Sequence, residues 1–425
     1  MTMPRWGRYP MGTDFVSFDR GPVGVTPEIV TLKAADGAAS RGVLYAKGGE
    51  QTVVCIMHPR ADMTRHYLIP YLVDEGYAFF AQESRWPGTD VATVHEQLVA
   101  DVAAAMTALR DRKFENVVLL GNSGAGSLYC LYQAQATTAP PHRLTDTAAG
   151  DPYDLNKFDL PAAHGIILLG AHLGAGKILQ TELDPSVLDE RDPHSCDPDL
   201  DMYNSANGFR EPPHVSSYSE EFLNRYRAAQ RARVARIDAI ARGYIAEQRH
   251  FQQLVGEPAF ETLPVEKKRL LRRHAVTGRV MNIHRVDANP ATADLSLNPS
   301  TRSYGSLMST RPDISNYSEA ATKILTPRAW LSSWSALSSR ASVLDNLSKV
   351  VIPTLVLSYT GDNAIHPHNS TAIFEHSPAK DKQKAEVEAD HFGLVPASTP
   401  NSNGRHAAAK IVLDWLDNRF AARDH

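Results

Sequence analysis

The sequence predicts an α/β protein: a mostly parallel central sheet with helices on both faces, interrupted by a long, mainly helical insertion. Three observations carry this expectation. Short apolar runs alternate with longer amphipathic ones from residue 27 to residue 172. The alternation then lapses for about 170 residues, and it resumes near residue 346. Strands alternating with helices call for crossover connections and hence parallel strands covered on both sides. The chain therefore divides into an N-terminal extension (1–26), a sheet domain in two parts (27–172 and 346–425) and an insertion (173–345).

The elements follow in order. "EIVTLKA" and "RGVLYA" alternate with period two, and "TVVCIMHPR" is a buried strand. After a helix-like "RHYLIPYLVDEG" comes the strand in "YAFFAQESRWPG". In "VHEQLVADVAAAMTALRD", Leu98, Val102, Met106 and Leu109 recur at three- and four-residue steps, giving a helix with one buried stripe. Asn116 to Leu120 form the next strand, and "HGIILLGAH" another after a loop rich in Thr, Pro and Asp. Inside the insertion, "YSEEFLNRYRAAQRARVARIDAIARGYIAEQRHFQQLV" has no proline and few glycines, so it predicts a long helix. "IPTLVLSYTGD" and "KAEVEADHFG" restore the strand pattern, and "AAAKIVLDWLDNRF" closes the chain as a helix.

Composition narrows the function. With 22% charged residues and a net charge of -4, the 425-residue chain has no excess of base for nucleic acid. Cys55, Cys130 and Cys196 are too few and too far apart for a disulfide framework or a zinc site, which fits a reduced compartment. The N-terminus lacks a signal-peptide apolar run, and no stretch of about 18 apolar residues occurs. A cytoplasmic protein without membrane partners is expected.

The chemistry is carried by "VVLLGNSGAGSLYCLYQAQA", a strand, a glycine turn and a helix. Such a turn serves either a phosphate or an exposed nucleophile. A Walker loop needs a lysine that "GNSGAGSL" lacks, and Gly121, Gly124 and Gly126 have the reverse of the dinucleotide spacing. Gly121-Asn122-Ser123-Gly124-Ala125 instead reads small-x-Ser-x-small, which clears space around a nucleophilic Ser123 at a sharp turn. The competing reading is a plain glycine turn with Ser123 as a cap. A serine needs a base, and the base an acid to hold it. Asp362 follows an apolar strand and His391 the last one, 29 residues later, so both loops reach the sheet edge that carries Ser123.

With Ser123, Asp362 and His391 in this order, the chain resembles the α/β-hydrolase superfamily over residues 27–172 and 346–425, and the insertion lies where that family carries its cap or lid. The resemblance implies a cofactor-independent serine hydrolase that cleaves a carboxylic ester of a small or medium organic molecule. Amide, thioester or carbon–carbon bond hydrolysis would use the same triad, and a non-catalytic ligand-binding protein is the reading from another class. "CIMHPRAD" matches the family's His-Gly segment, which lends an oxyanion-hole amide. Because Pro59 has no N–H, the expected donors are the amides of Arg60 and Gly124, with Ala61 as the alternative to Arg60. "ESRWPGTD" matches the family's turn after the fourth strand, with Glu83, Arg85 and Gly88 as scaffold.

Other candidates carry bland readings. Asp184 is a distant second choice for the acid, and Asp390 a solvated strand end. His366 and His368 form an H-x-H pair without further ligands, so no metal is expected. Arg225, Arg227, Arg231, Arg233, Arg236 and Arg242 suit a solvated helix face with glutamate partners, or less readily an anion grip. Tyr203, Phe209, Tyr218 and Trp334 line a pocket or pack a core.

Overall fold

The computed structural model describes residues 16–394 and 403–422. Of the N-terminal extension, 1–15 lie outside these. Eight strands form one sheet, in the order β1-β2-β4-β3-β5-β6-β9-β10. They are β1 (Glu28–Lys33), β2 (Ala39–Tyr45), β3 (Thr52–Met57), β4 (Ala78–Gln82), β5 (Asn116–Asn122), β6 (Gly165–Leu169), β9 (Thr354–Tyr359) and β10 (Lys382–Val387). β1 with β2 and β2 with β4 are antiparallel, and every later pairing is parallel. This is the mostly parallel sheet that the alternating pattern predicts.

Burial follows from sheet geometry. Every residue of β3 is buried, as a central parallel strand requires. Its side chains alternate between faces. Val53, Cys55 and Met57 join the core under α2 (His95–Asp111) and α3 (Ala125–Ala136). Val54 and Ile56 point the other way, toward α1 (Ile69–Asp74) and the closing helix Gly404–Asp417. α3 is buried from Ala125 to Gln135, because it lies between the sheet and its neighbouring helices. The outer strand β10 carries Lys382, Lys384 and Glu386, charges that discourage edge pairing.

The insertion leaves after β6 and returns at β9. It holds α4 (Ala175–Glu182), α5 (Glu220–Gly256), α6 (Val265–Val276) and a two-stranded ribbon of β7 (Met281–His284) with β8 (Thr322–Leu325). Ser219 starts α5 by accepting from the Phe222 N–H, with Glu220 and Glu221 in the first turn, a favourable N-terminus. The insertion has its own core, in which Val234, Ile237 and Ala241 of α5 pack on Trp330 and Leu331. Trp330–Trp334 form one π-helical turn, and the Ser332 and Ser333 hydroxyls within it bond to His95 at the head of α2. That joint fastens the insertion over the carboxyl edge of the sheet. Among the described residues no helix is long and apolar enough to cross a membrane.

Candidate active site

β5 ends at Asn122 and α3 begins at Ala125, so Ser123 and Gly124 make the whole turn. Ser123 has φ +52°, a left-handed conformation that costs a non-glycine residue about 1–3 kcal/mol. Neighbouring backbone holds it there: Ser123 N–H donates to Leu169 O at 3.0 Å, and Gly126 N–H to Ser123 O at 3.2 Å. The flanking glycines are needed for contact. A Cβ on Gly121 would lie 2.7 Å from Gly126 Cα, and one on Gly126 2.7 Å from the Ala171 methyl. Strand and helix thus meet backbone to backbone beneath the serine.

Asp362 stands in the turn after β9 and His391 in the turn after β10. His391 Nδ1 lies 2.6 Å from Asp362 Oδ2, and His391 Nε2 lies 3.1 Å from Ser123 Oγ. The other Asp362 oxygen accepts from the Ala364 and Ile365 amides at 2.7 and 2.9 Å, which fixes the carboxylate's orientation. Asp390 is not a solvated strand end. It is half-buried and its carboxylate accepts from the Phe392 and Leu394 amides, tying down the turn that carries His391.

The oxyanion segment differs from expectation. Arg60 and Ala61 N–H both donate to His58 Nδ1, at 3.2 and 2.9 Å, so neither of the two expected amides is an open donor. The ring two residues upstream has taken them. With Nδ1 accepting, the proton of the neutral imidazole sits on Nε2. That nitrogen stands over Gly124, 2.8 Å from where a Cβ there would be. His172 repeats the arrangement: Gly174 N–H donates to its Nδ1 at 3.1 Å, and its Nε2 lies 3.4 Å from the same point. Two ring N–H groups therefore converge on Gly124, whose own N–H, at the helix N-cap, has no intrahelical partner. Sequence reasoning passed over His172. Its signal is a histidine three residues beyond β6, at the edge where Ser123 lies.

These groups, with Arg60, His95 and Trp334, enclose a cavity of about 20 Å³. That is room for one or two waters. Four histidines in this region divide by their partners. Burial first, and then the Arg60 charge, hold His58 well below the ordinary value and His172 down to about 3. His95 is likewise lowered to about 4. For His391 burial also pulls downward, but the Asp362 carboxylate outweighs it, and the net shift is upward. Of the four, only His391 is shifted upward. Burial pushes Glu182 up to about 8, helped by Asp287, and brings Lys323 down to about 8, helped by Arg60.

The remaining candidates fall elsewhere. Asp184 is fully buried in the insertion and paired with Arg285 at 2.6 Å, whereas the partner of His391 is Asp362. Arg85 pairs with Asp101 and Asp36, and Glu83 with Arg41, as scaffold. Arg233 departs from the solvated-face reading: it is buried and grips Glu190 with Arg236. Arg225 pairs with Glu221, Arg227 bonds Asn289, Arg242 bonds Ser338, and Arg231 is exposed. Tyr203, Phe209 and Tyr218 pack within the insertion, whereas Trp334 lines the cavity. His366 and His368 are 5.9 Å apart between ring centres, and among the described residues no cluster of three or more ligating side chains suits a metal. The three cysteines are free, with Cys55 and Cys130 buried.

No family model matches the chain, and no curated protein does. Solved structures do align along most of it. The structure of DcsB in complex with its substrate analogue is 11% identical with TM-score 0.48, covering 93% of this chain and 99% of that one. The α/β hydrolase GrgF from Penicillium sp. sh18 gives 10% and 0.47, over 93% and 99%. Est1E from Butyrivibrio proteoclasticus gives 10% and 0.43, over 92% and 98%.

Proposed function

We propose that this chain, with its α/β-hydrolase architecture, is a cofactor-independent serine hydrolase that cleaves a carboxylic ester of a small or medium organic molecule. One observation carries the reading: the continuous chain Ser123 Oγ, His391, Asp362, with contacts of 3.1 and 2.6 Å. His391 Nε2 removes the Ser123 proton as Oγ attacks the acyl carbon, while Asp362 holds Nδ1–H and stabilises the imidazolium. The oxyanion accepts from the Gly124 amide and from His58 Nε2–H, with His172 Nε2–H on the same side; these replace the Arg60 amide, which His58 Nδ1 occupies. The imidazolium passes its proton to the departing alkoxide. Water, deprotonated by His391, then releases the acid from Ser123.

The experiment is a panel of matched aryl esters, alkyl esters, thioesters and amides. Esters are expected to give the highest kcat/KM; amides turning over faster than their matched esters would contradict the assignment.

A further inference from the structure

Two buried arginines of the insertion are closely paired, whereas the cations that meet at Trp334 are not. Arg285 meets Asp184 at 2.6 Å and Arg233 meets Glu190 at 2.8 Å. Arg60 and Lys323, in contrast, share a single carboxylate oxygen, Asp90 Oδ2, each at 3.7 Å. Among the described residues nothing hydrogen-bonds to the Arg60 guanidinium. Both cations rest on the Trp334 ring, Arg60 at 4.6 Å and Lys323 at 3.7 Å from its centre. Trp334 belongs to the insertion, and 39% of the Arg60 side chain and 21% of the Lys323 side chain stay accessible beside it. Arg60 lines the cavity together with Gly124, and its charge is felt by His391.

Two further groups in this wall lack partners. Ser333 Oγ donates to Thr93 O at 2.9 Å, so it must accept from His95 Nδ1–H at 2.8 Å. His95 Nε2 is then a bare lone pair, and it has no partner among the described residues although His95 is buried. The Trp334 indole N–H is also unpartnered. Buried polar groups without partners are costly, and these two line one cavity, where a polar ligand would satisfy them. The local charge gives its sign. Asp90 offsets one of the two cations, and Glu182, near enough to feel both charges, is pushed up to about 8 by its burial.

We propose that Arg60 and Lys323, braced on Trp334 beside Ser123, form a subsite for a carboxylate, so that the ester cleaved there carries a negative charge. The planar guanidinium supplies paired donors and Lys323 a point charge. The bare His95 nitrogen adds a place for a hydroxyl or a bound water. The subsite rests on the hydrolase reading for its neighbourhood to the reacting bond, but binding tests it separately.

Two measurements keep the two readings apart. In the first, kcat/KM is compared for the mono(4-nitrophenyl) ester of adipic acid and for neutral 4-nitrophenyl hexanoate. The anionic ester is expected to be preferred by about tenfold or more, the size of one charge-assisted contact. That ratio should collapse toward one in Lys323→Met and in Arg60→Met, and persist in Lys323→Arg. In the second, the Ser123→Ala protein is titrated with monomethyl adipate and with dimethyl adipate, and only the anion should bind, with Lys323→Met abolishing the difference. Turnover of both esters with no preference overturns the subsite and leaves the hydrolase standing. Selective binding of the anion without turnover in wild type upholds the subsite and overturns the hydrolase. A preference unchanged in both methionine variants also overturns it.

Discussion

The two walls of the space around Ser123 are built on opposite principles. On the wall made by the turns after β9 and β10, every working group is already bonded. His391 is held at both ring nitrogens, and the Asp362 carboxylate is held by His391 and two amides. On the wall that meets the insertion, Arg60 and Lys323 stand 3.7 Å from their shared carboxylate, and His95 uses one nitrogen of two. A closed network fixes the path of a proton. An open one leaves donors, acceptors and charge for something that arrives. The same residue type illustrates it: burial, and then the Arg60 charge, lowers His58, His95 and His172, while in His391 the Asp362 carboxylate outweighs burial and the net shift is upward.

That contrast can be broken from the closed wall first. Ser123→Ala should lower kcat by about 10⁶, the loss seen when a serine nucleophile is removed and only binding and oxyanion donors remain. Asp362→Asn should cost about 10⁴ in kcat, because the imidazole loses both its fixed tautomer and its counter-charge. The same variant has a pH signature. His391 acts as base only when neutral, and its upward shift places the acid limb of kcat/KM above the ordinary histidine value. Without the Asp362 charge the limb should move to lower pH.

His58 offers a finer cut. Asn in its place keeps an oxygen where Nδ1 accepts from Arg60 and Ala61 but has no donor at the Nε2 position; Gln puts an N–H there. His58→Asn should lower kcat by about 10²–10³ with little change in KM, and His58→Gln should recover part of it. Equal losses in both variants would reduce His58 to a brace for its loop. The smallest effect concerns the turn beneath. Gly121→Ala places a methyl against Gly126 Cα, and thermal or urea unfolding should show about 1–3 kcal/mol of lost stability.

The sequence revealed the sheet more completely than the space above it, for physical reasons. β3, β5, β6 and β9 are buried on both faces and read as unbroken apolar runs, and the glycines around Ser123 mark a contact that only small residues allow. Ser123, Asp362 and His391 come after such runs, so strand ends located them. The ring orientation of His58 is not legible this way, since it depends on amides that fold back on it, so the motif points to the Arg60 amide and carries no signal for the Arg60 side chain. Lys323 lies on the short strand β8, partly exposed in pattern, and it reaches Trp334 only because the insertion folds over the sheet. Likewise Arg233 reads as one more charge on a polar helix until Glu190 is brought against it.

The central claim is that Ser123 is the nucleophile and His391 its base. Treating the folded protein with a fluorophosphonate and locating the adduct by peptide mass spectrometry tests it most directly. One adduct is expected, on Ser123, formed faster as pH rises through the His391 transition and absent in His391→Ala. An adduct on another residue, or labelling of Ser123 that is indifferent to His391, would contradict it.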